Sequence, residues 1–547
     1  MFASAKAYLP TLEVDHWNSQ PLTVLVGRTV RRSRTNSISS KLYDNKLAMR
    51  TLRERQNSLI PIARLPHDIL AQIFIACRDQ DCNSAVRKRT PESERKAGLG
   101  WIQVSHVCRD WRAIALERHD LWTHIPFYLG TEWIEEAFSR SHLAPLVIFP
   151  RFNHSERKFL REFTDQHAAL IIEHFARIKT LVFVVTTSRE LEWHAIFNSP
   201  SLSSSAPLLE SLEIISVSNH RGRSTIISIS DEFLGRHAPV LRSLLVTIIS
   251  AFPWASPVLH NLVHLKLEFV ASISALPSFN ELLDALHSMR SSLQTLHLFG
   301  DKLWSEDISA ETTRIIELSS LVELSYGQGL SECTTFLSHI QAPTTARLVL
   351  VTDTYDSESA DVPSVRAFSS ALATFLRVGA ANQGARPISR LNCTHRPDAA
   401  TLYLWSTDAY NQDDRQPFSA QRYGEPIEVT VSYAGRLPEL DLGQAFCEVF
   451  VSPQLHDLYL PSDRWGNCVG WGAGQWRAML LRAEDVREVS TSHNAVAALL
   501  EALWTGDIGT VGTDGLQAPI PCPELKVLRF RHPEEVFTNA LRFWMSH

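Results

Sequence analysis

The 547 residues contain no Cys-x-x-Cys pair, although there are eight cysteines, at Cys77, Cys82, Cys108, Cys333, Cys393, Cys447, Cys468 and Cys522. Thiols scattered in this way fit neither a disulfide framework nor a zinc site, and they point to a reducing compartment. No apolar run approaches the roughly 18 residues of a membrane-spanning helix. The first residues lack the charged start and apolar centre of a secretory signal. Cytosol or nucleus is the expected location, with no membrane as partner. Positive charge is short too: the formal net charge is −6, whereas a general nucleic-acid binder is strongly basic. No Gly-x-Ser-x-Gly elbow, Walker loop or kinase set occurs. Gly470-Trp471-Gly472-Ala473-Gly474 is glycine-rich but follows no clean strand, and reads as part of a long Trp465–Trp476 connection. His260 and His264 sit on a strand pattern without the Glu of a zinc protease. No catalytic residue, metal ligand or cofactor is expected, and the chain is not expected to be an enzyme.

What is present is concentrated first between Ile62 and Phe127. Leu65-Pro66-His67-Asp68-Ile69-Leu70-Ala71-Gln72-Ile73-Phe74 opens with a proline where a helix tolerates one and an acid suited to the positive end of the helix dipole. Ile69, Leu70, Ile73, Phe74 and Cys77 then make a wide apolar stripe at helical spacing. Val104, Val107, Cys108, Trp111, Ile114 and Ala115 repeat that geometry, with Ser105 as the expected N-cap, and Leu121-Trp122 follows. A unit of about sixty residues cannot bury so much apolar surface by itself, and surplus of this kind marks a docking place.

The three blocks in this order resemble an F-box, especially the F-box-like domains of large fungal families. Asp68 stands where the family more often has Glu, and the charged segment 79–99 is longer than a compact F-box needs, so it is expected to loop out. The resemblance implies docking on a Skp adaptor, and through it a cullin. Carried over position by position, the adaptor-binding candidates are Leu65, Pro66, Ile69, Leu70, Ile73, Val107, Cys108 and Trp111. Before this domain (60–128), residues 1–40 read as an unstructured basic, serine-rich tail, and 41–59 as a lead-in helix lying against it.

From 129 to 547 the texture changes. A frame, Leu-x-x-Leu-x-apolar, recurs at Leu209, Leu241, Leu262, Leu293, Leu321, Leu437, Leu455 and Leu525. Weaker versions begin at Leu143, Ile178, Thr345, Ala399 and Val486. Spacings of roughly twenty to thirty residues indicate a repeat array. Apolar residues one position apart point to the same side of a short strand, while the leading leucine fills the core from the preceding turn. Returning segments are expected at His154–Phe175, Ser278–Met289, Glu311–Leu318, Val365–Val378 and Ala495–Trp504.

The region resembles leucine-rich repeats of the irregular sort. The expected fold is therefore α/β: a small helical F-box domain, then an irregular solenoid with a parallel sheet on its concave face. No asparagine ladder exists, so long inserts are expected. A break is expected between Tyr326 and Leu437, with Ser406–Glu425 the likeliest loop, and a terminal helix at Glu534–Ser546. Side chains between the apolar pair of each strand are the target-binding candidates: Glu213, Leu245, Lys266, His297, Ser325, Asp441, Tyr459 and Arg529. The implied function is substrate recognition for a Skp–cullin–F-box ubiquitin ligase, holding an unknown protein target. The alternative is an adaptor-bound scaffold that delivers no ubiquitin target.

Overall fold

The computed structural model describes residues 31–86, 100–125, 131–148, 165–186, 205–217, 226–269, 276–300, 303–305, 314–353, 362–378, 388–396, 399–406, 427–432, 455–460, 472–492, 496–503 and 522–531. Asp441 and its frame, most of the expected Ser406–Glu425 loop and the expected helix Glu534–Ser546 lie outside them. The chain forms two compact units, one of Met1–Asp81 with Ala97–Glu117 and one of Cys82–Lys96 with Arg118–His547, so the last residues of the helix that ends at Val86 cluster with the second.

The first unit is helical. Helix α1 (Arg31–Ser58) takes in the basic, serine-rich run expected to lack structure as well as the lead-in helix. Arginine, lysine, leucine and methionine, which dominate residues 41–58, are good helix formers, and the helix they favour extends back through the serine-rich run. Its apolar side chains are not packed against the rest of the unit: Leu42, Tyr43, Leu47, Met49 and Leu52 are between 50% and 66% exposed. A 3-10 turn (Pro61–Arg64) leads to α2 (His67–Val86). This helix runs through the first part of the segment expected to loop out, and residues 87–99 lie outside the description. A second 3-10 helix (Gly100–His106) and α3 (Arg109–Glu117) complete the unit.

The expected second helix is thus broken at Val107-Cys108. Ser105 does not cap it: its hydroxyl donates to the carbonyl of Ile102 (2.7 Å) and is buried. Cys108 takes the cap position instead, its Sγ accepting from the Trp111 amide at 3.5 Å. The third block belongs to the other unit. Leu121 and Trp122, in a 3-10 helix (His119–Thr123), are fully buried there, and the Arg140 guanidinium lies 4.4 Å above the Trp122 ring.

The second unit is a mixed α/β body around one large sheet. Its strands are β1 (Leu146–Ile148), β2 (Ile178–Thr186), β3 (Ser211–Val217), β4 (Ile227–Ser228), β5 (Ser243–Ala251), β6 (His264–Phe269) and β7 (Thr295–Phe299). They continue as β8 (Ile316–Glu317), β9 (Glu323–Gly329), β10 (Ile340–Gln341), β11 (Arg347–Asp353), β12 (Ile388–Arg396) and β13 (Ala399–Ser406). The last are β14 (Ile427–Ser432), β15 (Asp457–Leu460), β16 (Glu488–Ser492) and β17 (Val527–Arg531). The order across the sheet is β1-β2-β3-β5-β6-β7-β9-β11-β14-β13-β12-β15-β16-β17, with β4 beside β5 and a separate β8–β10 pair.

All described pairings are parallel except those of β13, which runs antiparallel to β12 and β14. The expected break is therefore absent from the ladder. An antiparallel meander, entered from its far side, bridges β11 to β15.

The recurring frames place the strands because their three apolar positions are the ones buried. From Leu209 to Tyr326 none of the fifteen is more than 2% exposed. Parallel strands need returning segments to cover that face. These are α4 (Thr131–Arg140), α5 (Asp165–Glu173), α6 (Phe279–Met289), α7 (Leu330–His339), α8 (Val362–Val378), α9 (Ala473–Leu480) and α10 (Val496–Leu503). Ser278 starts α6 with a reciprocal cap: Glu281 N donates to Ser278 Oγ, and Ser278 N donates to Glu281 Oε2 at 2.8 Å. On the leucine face Tyr326 of β9 stacks on Phe336 of α7 with ring centroids 4.1 Å apart. Two expectations fail here. Glu311–Leu318 yields the short strand β8 and no described helix, and Trp476 is a fully buried residue of α9, not part of a connection.

Without an asparagine ladder, successive units are tied by main chain. The carbonyl before several strands accepts two amides from the next unit: Glu210 from Arg242 and Ser243, Arg242 from Val263 and His264, and Val263 from Gln294 and Thr295. Gln294, His456 and Arg487 repeat the arrangement. Where β5 bulges at Thr247-Ile248 and leaves the β3 ladder, Thr247 Oγ1 takes the Ser216 amide at 2.8 Å.

Gly327 in β9 has a different reason. A Cβ there would lie 2.4 Å from Phe299 Cδ1. Gly327→Ala is expected to push the ring aside and cost about 1–3 kcal/mol, read as a lower midpoint in urea with an unchanged slope.

Candidate functional site

Two surfaces carry the candidate residues. On the helical unit, Pro66 opens α2, its carbonyl accepting the amides of Ile69 (3.0 Å) and Leu70 (3.1 Å). From there the wide apolar stripe divides. Leu70, Ala71 and Phe74 are buried, and Phe74 meets Trp111 of α3 with ring centroids 5.0 Å apart. Ile69 and Ile73, one turn apart on the same side, remain 47% and 36% exposed. Val107, at the break before α3, is 59% exposed.

Of the eight adaptor candidates, Pro66, Ile69, Ile73 and Val107 lie on the surface, and Leu65, Cys108 and Trp111 are half-buried. Leu70 is a correction. At 3% exposed it belongs to the interior, because it shares the inward side of α2 with Phe74. Ile60 and Ile62, at 47% and 39% exposed, are further surface apolar groups that the sequence reading did not select. Their signal is the apolar stretch Leu59-Ile60-Pro61-Ile62 just before the Leu-Pro pair.

On the sheet, the residues between the buried pairs fall into one register row: Val182, Glu213, Leu245, Lys266, His297, Ser325, Val349, Glu428, Tyr403, Asn392, Tyr459, Ser490 and Arg529. Glu213, Leu245, Lys266, His297 and Ser325 are therefore direct neighbours. Tyr459 and Arg529 sit on the same row beyond the meander. Tyr459 and Ser325 are both only 4% exposed, so neither offers the open surface that strand alternation predicted.

Alternation alone misses the row's charged partners two positions away on the same face. Lys266 lies 3.5 Å from Glu268, while Glu323 lies 3.2 Å from Arg347 and 3.7 Å from His297 Nε2. Burial raises the Glu213 carboxyl above its usual range, with Lys266 opposing the shift. Burial lowers His297, Glu323 opposes, and Lys266 and Arg347 lower it further. The patch thus holds an imidazole that binds its proton less readily than usual, among charges of both signs.

A depressed histidine has a defined consequence. Between its folded value and the ordinary 6.5, the unfolded chain binds the proton more readily, so stability falls as pH drops through that window. His297→Gln is expected to flatten this part of the stability profile, measured by denaturant titration at several pH values. A slope equal to the parent's would place the titrating group elsewhere.

Residues 62–127 match the F-box-like domain family. This chain therefore carries an F-box-like domain, whose two helical blocks lie in the first unit and whose Leu-Trp block is packed in the second. No curated protein matched the chain.

Proposed function

We propose that this protein is the substrate-recognition subunit of a Skp–cullin–F-box ubiquitin ligase, acting in the cytosol or nucleus. The F-box-like domain docks on a Skp-type adaptor through Pro66, Ile69, Ile73 and Val107, with Leu65, Cys108 and Trp111 at the edge. The strand-and-helix units of the second body are irregular leucine-rich repeats, and the row from Glu213 to His297 faces a protein target. The chain makes and breaks no bonds. It raises the local concentration of a target lysine near activated ubiquitin.

The observation that carries this reading is an F-box-like domain whose α2 leaves Ile69 and Ile73 in water while Leu70 and Phe74 fill the interior. Affinity capture from cells with a blocked proteasome tests it, comparing the intact chain with the Leu65→Ala/Pro66→Ala variant. Adaptor, cullin and ubiquitylated clients are expected with the first and none with the second. Adaptor without cullin or clients would support the scaffold instead. No adaptor in either case would remove both readings.

A further inference from the structure

We propose that α1 is a docking helix for a partner helix whose apolar seam is flanked by acidic side chains. The inference does not rest on the ligase reading. Helices without tertiary packing are marginal in water, and α1 has little of it. Five of its large apolar side chains are at least half exposed. A described tie to the rest of its unit is the Glu54–Arg109 ion pair, 2.9 Å long with both side chains in solvent, and such pairs hold weakly.

The pattern of what is exposed narrows the occupant. Leu42 and Met49 are seven apart and Leu52 is three further on, which is the a/d seam of a two-stranded coiled coil. Asn45 takes the intervening d position. The flanking e and g positions are Lys41, Lys46, Arg53 and Arg55, with Ala48 the neutral exception. A second copy of α1, parallel or antiparallel, would set these cations against one another. A membrane surface calls for one broad apolar face, but Tyr43 and Leu47 lie off the seam with Lys46 and Arg50 beside them. Over residues 41–58, Lys41, Lys46, Arg50, Arg53 and Arg55 face only Asp44 and Glu54, and Glu54 is already engaged by Arg109. A helix bearing Glu or Asp at its own e and g positions satisfies both the seam and its flanks.

The test uses the full-length protein and two synthetic three-heptad helical peptides, alike in a Leu/Ile seam and carrying either Glu or Lys at every e and g position. By fluorescence anisotropy the Glu peptide is expected to bind and the Lys peptide not, with affinity falling as salt rises. Leu42→Ser/Met49→Ser/Leu52→Ser should weaken binding by about tenfold or more. Lys41→Glu/Lys46→Glu/Arg53→Glu/Arg55→Glu should invert the preference, which a variant that merely frays the helix would not do. Equal binding of both peptides, or of neither, overturns the proposal. So does a parent chain that sediments as a dimer and is dispersed by the seam variant, or one that binds anionic vesicles in preference to the Glu peptide.

Discussion

A chain carrying Ile69→Asp and Ile73→Asp should lose the Skp-type adaptor while keeping its fold. The two isoleucines lie one turn apart on α2 and are 47% and 36% exposed in the free protein, so little native packing is lost when they change. Surface substitutions of this kind stay within about 0.5 kcal/mol. In the complex each would be desolvated. Burying the part of each isoleucine that is still exposed contributes roughly 1 kcal/mol, and a carboxylate left in that place adds a larger desolvation cost. The pair is therefore expected to weaken adaptor binding by about a hundredfold or more, read by calorimetry with purified adaptor.

Phe74→Ala is the control of opposite character. Its ring is fully buried against Trp111, and truncation should cost about 3–5 kcal/mol of stability, taking binding with it through unfolding. Unchanged affinity in the double aspartate variant would mean that the adaptor, if bound at all, uses another face.

The same stripe shows how far the sequence could be read. Its period placed Ile69, Leu70, Ile73 and Phe74 on one side of a helix, and that side is where they are. A stripe four residues wide spans too broad an arc to be wholly inside, and only the packing of Phe74 on Trp111 decides which half turns inward. The helix break at Cys108 was hidden for a related reason. Val104, Val107, Cys108 and Trp111 keep helical spacing across a turn that holds no proline or glycine.

In the second unit the leucine frames were legible because burial of both strand positions and of the leading leucine is one requirement repeated many times. The meander was not. Alternation along β12 or β13 reads the same in either direction, so nothing local reveals that β13 runs backwards or that β12 lies two strands beyond β14. Tyr459 illustrates the cost. Its frame marked it as facing solvent, and it does lie on the row of Glu213 and His297, yet it is only 4% exposed, as is Ser325 on the same row.

That junction also holds an interaction whose loss is expected to cost as much stability as truncating Phe74. Arg390 of β12 and Asp457 of β15 are register partners, and Arg390 Nε donates to Asp457 Oδ2 at 3.0 Å, with a second bond from Nη2 to the same oxygen. Both side chains are at most 10% exposed. Asp457→Ala would take a counter-charge from the guanidinium in a buried position, and breaking a buried pair from one side costs about 3–5 kcal/mol. The urea midpoint should fall accordingly.

Replacing both partners by apolar residues, Arg390→Met with Asp457→Leu, should recover most of that loss, since a well-packed apolar pair of similar volume is often neutral relative to an ion pair. The difference between single and double variants therefore separates the penalty of a one-sided break from the worth of the bond. A single-variant loss below about 1 kcal/mol would show that water reaches the pair. The position matters for the sheet because the β12–β15 pairing is where β15, β16 and β17 join the strands of the meander. A chain that opens there loses one end of the register row while the row from Glu213 to His297 keeps its own pairings, so under the proposed function Asp457→Ala should lower stability before it lowers binding on the first half of the sheet.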